Sequence, residues 1–185
     1  MKKEYTISVF TENTPGLLHR VTTVFTRRKL NIESITASES EIPGIHRYTI
    51  VLFTTEDMAC IIVNQLEKQI DVYKAFKHEN EDLVYQEIAL YKIKANNISD
   101  SSIAENIIRK FSARILSITS DYIVIEKTGY PSETQELYQH LRQFEILEFV
   151  RSGRVAITKP MKSLQEHLNE KENIYKSKFN DYGTN

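Results

Sequence analysis

The chain has little cysteine, no long apolar run and no charge bias, and each shortage removes a class of protein. A lone cysteine, Cys60, excludes an internal disulfide framework. It falls in a helical apolar pattern and reads as a small core residue of a protein kept in a reducing compartment. No apolar stretch approaches the roughly 20 residues that a membrane-spanning helix needs. Met1-Lys2-Lys3 leads into a strand pattern, not into the apolar core of a signal peptide, so a soluble, cytoplasmic protein is expected. With 24 Lys and Arg against 25 Asp and Glu, the formal net charge is −1, which leaves no electrostatic footprint for nucleic acid or an anionic membrane. The histidines His19, His46, His78, His140 and His167 are scattered and none has metal-ligand spacing, so no metal site is expected. Phosphate loops, dinucleotide fingerprints and nucleophile elbows are missing as well. Charged residues make up 26% of the chain, so paired carboxylates carry no signal. No catalytic residue and no cofactor of its own are predicted.

What the chain does have is a pattern of strands and helices that runs twice. Its 185 residues suit one large domain or two small ones. Tyr5, Ile7 and Val9 alternate with Thr6 and Ser8 as a strand does. Leu17, Leu18, Val21, Val24, Phe25 and Arg28 recur at helical spacing, and Arg27, Arg28 and Lys29 close that helix at its negative end. Strands are predicted over 32–40 and 46–54, joined by a loop with Pro43-Gly44. Thr54 and Asp57 have capping-box spacing, and Ala59, Ile62, Val63, Leu66 and Ile70 mark a second helix before a strand over 72–77. The order strand, helix, strand, strand, helix, strand is the ferredoxin-like βαββαβ arrangement.

A short acidic stretch, 79–86, is predicted as a linker between a first domain at 1–78 and a second at 87–160. In the second, a strand over 87–94 precedes a helix marked by Ile103, Ile107, Ile108 and Phe111. A hairpin turns at Ser120-Asp121. Ser132 and Gln135 have capping-box spacing, and Leu137, Tyr138, Leu141 and Phe144 mark the next helix. A strand over 146–150 follows, and 155–158 reads as its continuation past Ser152-Gly153. Corresponding starts lie about 80 residues apart, a repeat of architecture more than of residues. The fold class is therefore α+β, two ferredoxin-like sandwiches in tandem. Residues 161–185 read as a charged, weakly amphipathic tail and a solvated extension.

The turn before the first helix, Asn13-Thr14-Pro15-Gly16, carries the chemistry. Proline fixes one backbone angle and glycine frees the next. The first-turn amides that follow lack partners inside the helix, at the positive end of its dipole. Such a turn suits a small carboxylate, which the missing side chain at Gly16 lets approach the backbone. Asn13 and Asn31 are neutral donor–acceptor groups able to hold an amino acid's ammonium and carboxylate. The plainer reading is a tight strand-to-helix turn with Asn as a local cap. The second half has Asn96-Asn97-Ile98-Ser99-Asp100 at this place and is not expected to bind the same ligand. His19 shares the helix but reads as a surface residue.

Pro15-Gly16-Leu17-Leu18 after a strand resembles the opening of an ACT domain, a small amino-acid-sensing module. The longer string is more specific. Glu12-Asn13, Gly16, Leu18, Arg20-Val21, Phe25, Arg28, Asn31-Ile32-Glu33-Ser34 and Arg47-Tyr48-Thr49-Ile50 resemble the regulatory (small) subunit of acetolactate synthase, also called acetohydroxyacid synthase. Most ACT domains have Asp where this chain has Asn13, and the Asn matches the small-subunit form. Glu148-Phe149-Val150-Arg151-Ser152-Gly153-Arg154-Val155-Ala156 is similar to the closing signature of the same family, so the resemblance covers roughly residues 3–158.

The resemblance implies an ACT domain at 1–78 that pairs with a second copy through its second strand. A branched-chain effector would then be held by Asn13, Thr14, Pro15, Gly16, Leu17 and Leu18 of one subunit and by Asn31 and Ile32 of the other. L-valine is the expected effector, with leucine and isoleucine as alternatives. It implies a catalytic large subunit as partner, activated by this chain and made sensitive to feedback inhibition in branched-chain amino-acid biosynthesis. Thiamine diphosphate, magnesium and FAD would belong to that partner. Two other readings stay open: an ACT sensor serving a different enzyme or a transcription factor, and a small enzyme on a ferredoxin-like fold. A DNA-reading helix with basic flanks, which a transcription factor would need, is not found in the sequence.

Overall fold

A computed structural model describes residues 1–95 and 101–159, with 165, 166 and 169 beyond them; for 101–105 it describes the backbone alone. The predicted tail lies otherwise outside the described residues, as does Asn96 to Asp100. Two compact units emerge among the described residues, Met1–Val84 together with those from Ile157, and Tyr85–Ala156.

The first unit is built from β1 (Lys3–Glu12), α1 (Leu17–Thr26), β2 (Ser34–Glu39), β3 (Ile45–Thr54), α2 (Glu56–Leu66) and β4 (Val72–His78). Its antiparallel sheet has the order β2-β3-β1-β4, so β2 and β4 are the edges. Tyr5, Ile7 and Val9 of β1 meet Val21 and Phe25 of α1 and Ala59, Ile62 and Leu66 of α2 in one core. Helical and strand periodicity thus place the apolar faces as the sequence implies.

Three local expectations shift. Thr54 is buried at the end of β3, and it is Thr55 that caps α2, its hydroxyl accepting from the Met58 amide at 3.4 Å. Removing that hydroxyl in Thr55→Ala should cost about 1 kcal/mol, read as a lower midpoint in chemical denaturation. Ile70 lies past the end of α2 and is 98% exposed, so it contributes nothing to the core. Arg27, Arg28 and Lys29 follow α1 instead of occupying its last turn, and Lys29 has a left-handed backbone with φ 55°. Cys60 is half-buried, near the Lys77 ammonium.

The second unit repeats the plan with β5 (Leu83–Lys94), α3 (Ser101–Lys110), β6 (Arg114–Ile118), β7 (Tyr122–Gly129), α4 (Pro131–Leu141), β8 (Ile146–Arg151) and β9 (Val155–Thr158). Its sheet order β6-β7-β5-β8 is the first sheet's order carried over, with β9 added beside β5. Residues 79–86 hold a 3-10 turn at Asn80–Asp82 and the start of β5, so the strand begins four residues before the predicted Glu87. The segment 155–158 is a separate strand paired with β5, not a continuation of β8. The first turn of α4 is closed by Glu133, whose carboxylate accepts from the Tyr130 amide at 2.6 Å, and not by Ser132 and Gln135. Ala89, Tyr91, Ile125, Leu137 and Leu141 form this unit's own core.

Candidate functional site

Glu12 ends β1, and the chain turns through Asn13, Thr14, Pro15 and Gly16, all exposed, into α1. Gly16 is the N-cap residue, at φ 82° and ψ −5°. This left-handed conformation is the one glycine adopts without strain. No side chain caps the helix, so Asn13 is not the local cap of the plainer reading. The Gly16 carbonyl accepts the first helical hydrogen bond from the Arg20 amide at 3.2 Å. A side chain added at Gly16 would meet no atom within 4 Å, which means the turn opens to solvent. Leu17 is wholly buried and anchors the helix start, while Leu18 is 45% exposed beside the turn.

Asn31 and Ile32 lie between α1 and β2. Asn31 is exposed and donates to the Glu33 carboxylate at 3.1 Å, and Ile32 packs at the edge of the core. The register decides whether these two residues can join the turn within one chain. Glu12 sits opposite Ile45 at one end of β3, whereas the Glu33 amide bonds to the Val51 carbonyl near its other end. Six residues of strand separate those points, about 20 Å at the usual rise. One chain therefore keeps the two Asn side chains at opposite ends of its sheet.

The signature that closes the second half, Arg151-Ser152-Gly153-Arg154, has a structural job. The Ser152 amide donates to the Ile88 carbonyl at 2.9 Å, and its hydroxyl accepts from the Ile88 amide at 3.0 Å. Arg151 reaches the buried Glu87 carboxylate at 3.4 Å. Arg154, only 4% exposed, stacks its guanidinium 3.9 Å from the centre of the Tyr85 ring, a cation–π contact. Gly153, at φ 78°, makes the turn that sends β9 back along β5. The residues clasp β8 and β9 to β5. Sequence reasoning assigned them no role, because Tyr85 and Glu87 lie more than 60 positions away.

Among the described residues no group of three or more His, Cys, Asp and Glu side chains could hold a metal ion, and no helix is long and apolar enough to cross a membrane.

A βαββαβ sandwich with a glycine-built, side-chain-free helix start, joined to a second sandwich of the same strand order, defines a tandem α+β protein of the ACT class. Residues 7–74 match the family described as AHAS small subunit-like ACT domain, and residues 86–160 match the family described as small subunit of acetolactate synthase. The chain is 35% identical over 158 residues to the probable acetolactate synthase small subunit of Methanothermobacter thermautotrophicus, covering 85% of this chain and 94% of that one. It is 34% identical over 160 residues to the acetolactate synthase small subunit of Bacillus subtilis, covering 86% and 91%. The crystal structure of the small subunit from Thermotoga maritima superimposes with a TM-score of 0.78 at 28% identity, covering 86% of this chain and 99% of that one. The chain belongs to the acetolactate synthase small-subunit family.

Proposed function

We propose that the chain activates the catalytic large subunit of acetolactate synthase and confers on it feedback inhibition by valine. The observation that carries this reading is the placement of Asn13 and Asn31 at opposite ends of a sheet whose edge strand is β2. When two β2 edges pair antiparallel about a two-fold axis, the Asn31 end of one chain is brought to the Asn13 end of the other. The pairing also covers two exposed sheet edges. Valine's carboxylate would meet the amides after Gly16, and its ammonium the Asn side chains, with Leu18 and Ile32 beside its isopropyl group. A ligand that bridges two subunits favours one dimer geometry over others, and that differential affinity is what regulation requires. Thiamine diphosphate, magnesium and FAD belong, in this reading, to the large subunit.

The test is reconstitution. The purified chain should form no acetolactate from pyruvate, should raise the rate of its matched large subunit, and should make that rate sensitive to valine. Pyruvate condensation by the chain alone, or an unchanged large-subunit rate, would overturn the reading.

A further inference from the structure

A groove of about 730 Å³ runs along the flank of α1 and the C-terminal end of α2. Arg20, Arg27, Arg28 and Lys68 line it together with Gln65 and Gln69, and among the described residues no carboxylate does. In a chain of net charge −1, this is local segregation of positive charge. Two of the cations are braced. Arg20 pairs with Asp71, which lies outside the lining, and Arg28 donates through Nε to Gln65 Oε1 at 3.0 Å. Arg27 and Lys68 are exposed and form no ion pair among the described residues. Gln69 adds a buried carbonyl oxygen, Oε1, that has no hydrogen-bond partner.

We propose that this groove docks an acidic segment of the catalytic subunit, a step that rests on the function proposed above. The lining favours a protein segment over a small phosphate compound. Its cations are spread along α1, with Arg20 and Arg27 about 10 Å apart along the axis, where a compact phosphate wants convergent donors. The groove follows helix flanks, so it offers no cluster of free amides, and among the described residues its only ring is the His19 imidazole. The position gives the groove a regulatory role. Gly16 caps α1 and Arg20 lies one turn further on, so the effector turn and the docking surface share one rigid helix. Valine binding and docking therefore act on the same element, and any coupling between them is reciprocal, each changing the other's affinity by the same factor.

The experiment compares the full chain with Arg27→Glu/Lys68→Glu for affinity to the catalytic subunit at low and high salt. Alongside it run calorimetric titrations of valine and of inorganic pyrophosphate. The double variant should bind the catalytic subunit roughly tenfold more weakly near physiological salt. That difference should collapse near 1 M salt, where the screening length is about 3 Å, while valine binding stays unchanged. Should charge reversal disturb folding, Arg27→Gln/Lys68→Gln should give a smaller loss, about threefold, with the same salt dependence. Equal affinity and equal salt dependence in variant and wild type would overturn the docking groove and leave the proposed function standing. Pyrophosphate binding that the variant abolishes, with subunit affinity intact, would overturn it in favour of a small-anion site. Lost valine binding in a folded variant would assign these residues to the effector site instead. A wild-type chain that does not bind the catalytic subunit would refute the proposed function itself.

Discussion

Gly16→Asp is expected to abolish inhibition by valine while activation of the catalytic subunit persists. The new carboxylate would stand where the effector's own carboxylate meets the backbone. Two like charges about 4 Å apart repel by roughly 4 kcal/mol at an effective dielectric near 20. Even a third of that weakens binding about tenfold. Room for the side chain is not the obstacle, since nothing lies within 4 Å of a β-carbon built at Gly16. Backbone strain is, because φ is 82° there, in the left-handed region. Asp and Asn tolerate that region better than other side chains, so the fold should survive. Gly16→Asn separates the two causes: it carries the same strain and nearly the same bulk without the charge, and should lose much less affinity. Asn31→Ala should also weaken binding less, since it removes a polar group and adds no repulsion. Calorimetric titration of valine into the three variants, paired with activation assays, decides the matter. Valine bound by Gly16→Asp as tightly as by wild type would place the effector elsewhere.

Leu137→Ala should destabilise the second unit by about 2–5 kcal/mol. Leu137 is fully buried on α4, in the core that Tyr91, Ile125 and Leu141 also fill, so truncation leaves a cavity that rigid neighbours cannot collapse. A domain of this size is stable by only several kcal/mol, so the loss takes most of what holds the unit folded. The first unit has its own core and contains every proposed effector residue. Valine affinity should therefore stay within about twofold of wild type while the denaturation curve gains an early transition. Activation of the catalytic subunit should fall with that transition if the second unit contributes to the contact. A parallel loss of valine binding would show that the effector site depends on the second unit.

Local chemistry made much of this protein legible in its residues. Alternation in 5–9, helical spacing in 17–25 and the Pro15-Gly16 turn each involve neighbours a few positions apart, and all appear in the fold where the pattern puts them. The Pro15 to Leu18 string carried the ACT resemblance for the same reason, since one turn holds it all. The tertiary structure decided what depends on distant partners. Thr6 and Ser8 alternate as polar residues yet are 0% and 1% exposed, because β1 is an inner strand whose neighbours cover them. The hairpin register, invisible in a string of residues, set Asn13 and Asn31 at opposite ends of the sheet. Arg27 read as part of a helix end and Lys68 carried no signal, and only the packing of α2 beside α1 makes them two sides of one groove. Periodicity and turn preference arise between adjacent residues and can be read along the chain; burial, register and the grouping of charges arise between residues far apart in it, and exist only once the chain has folded.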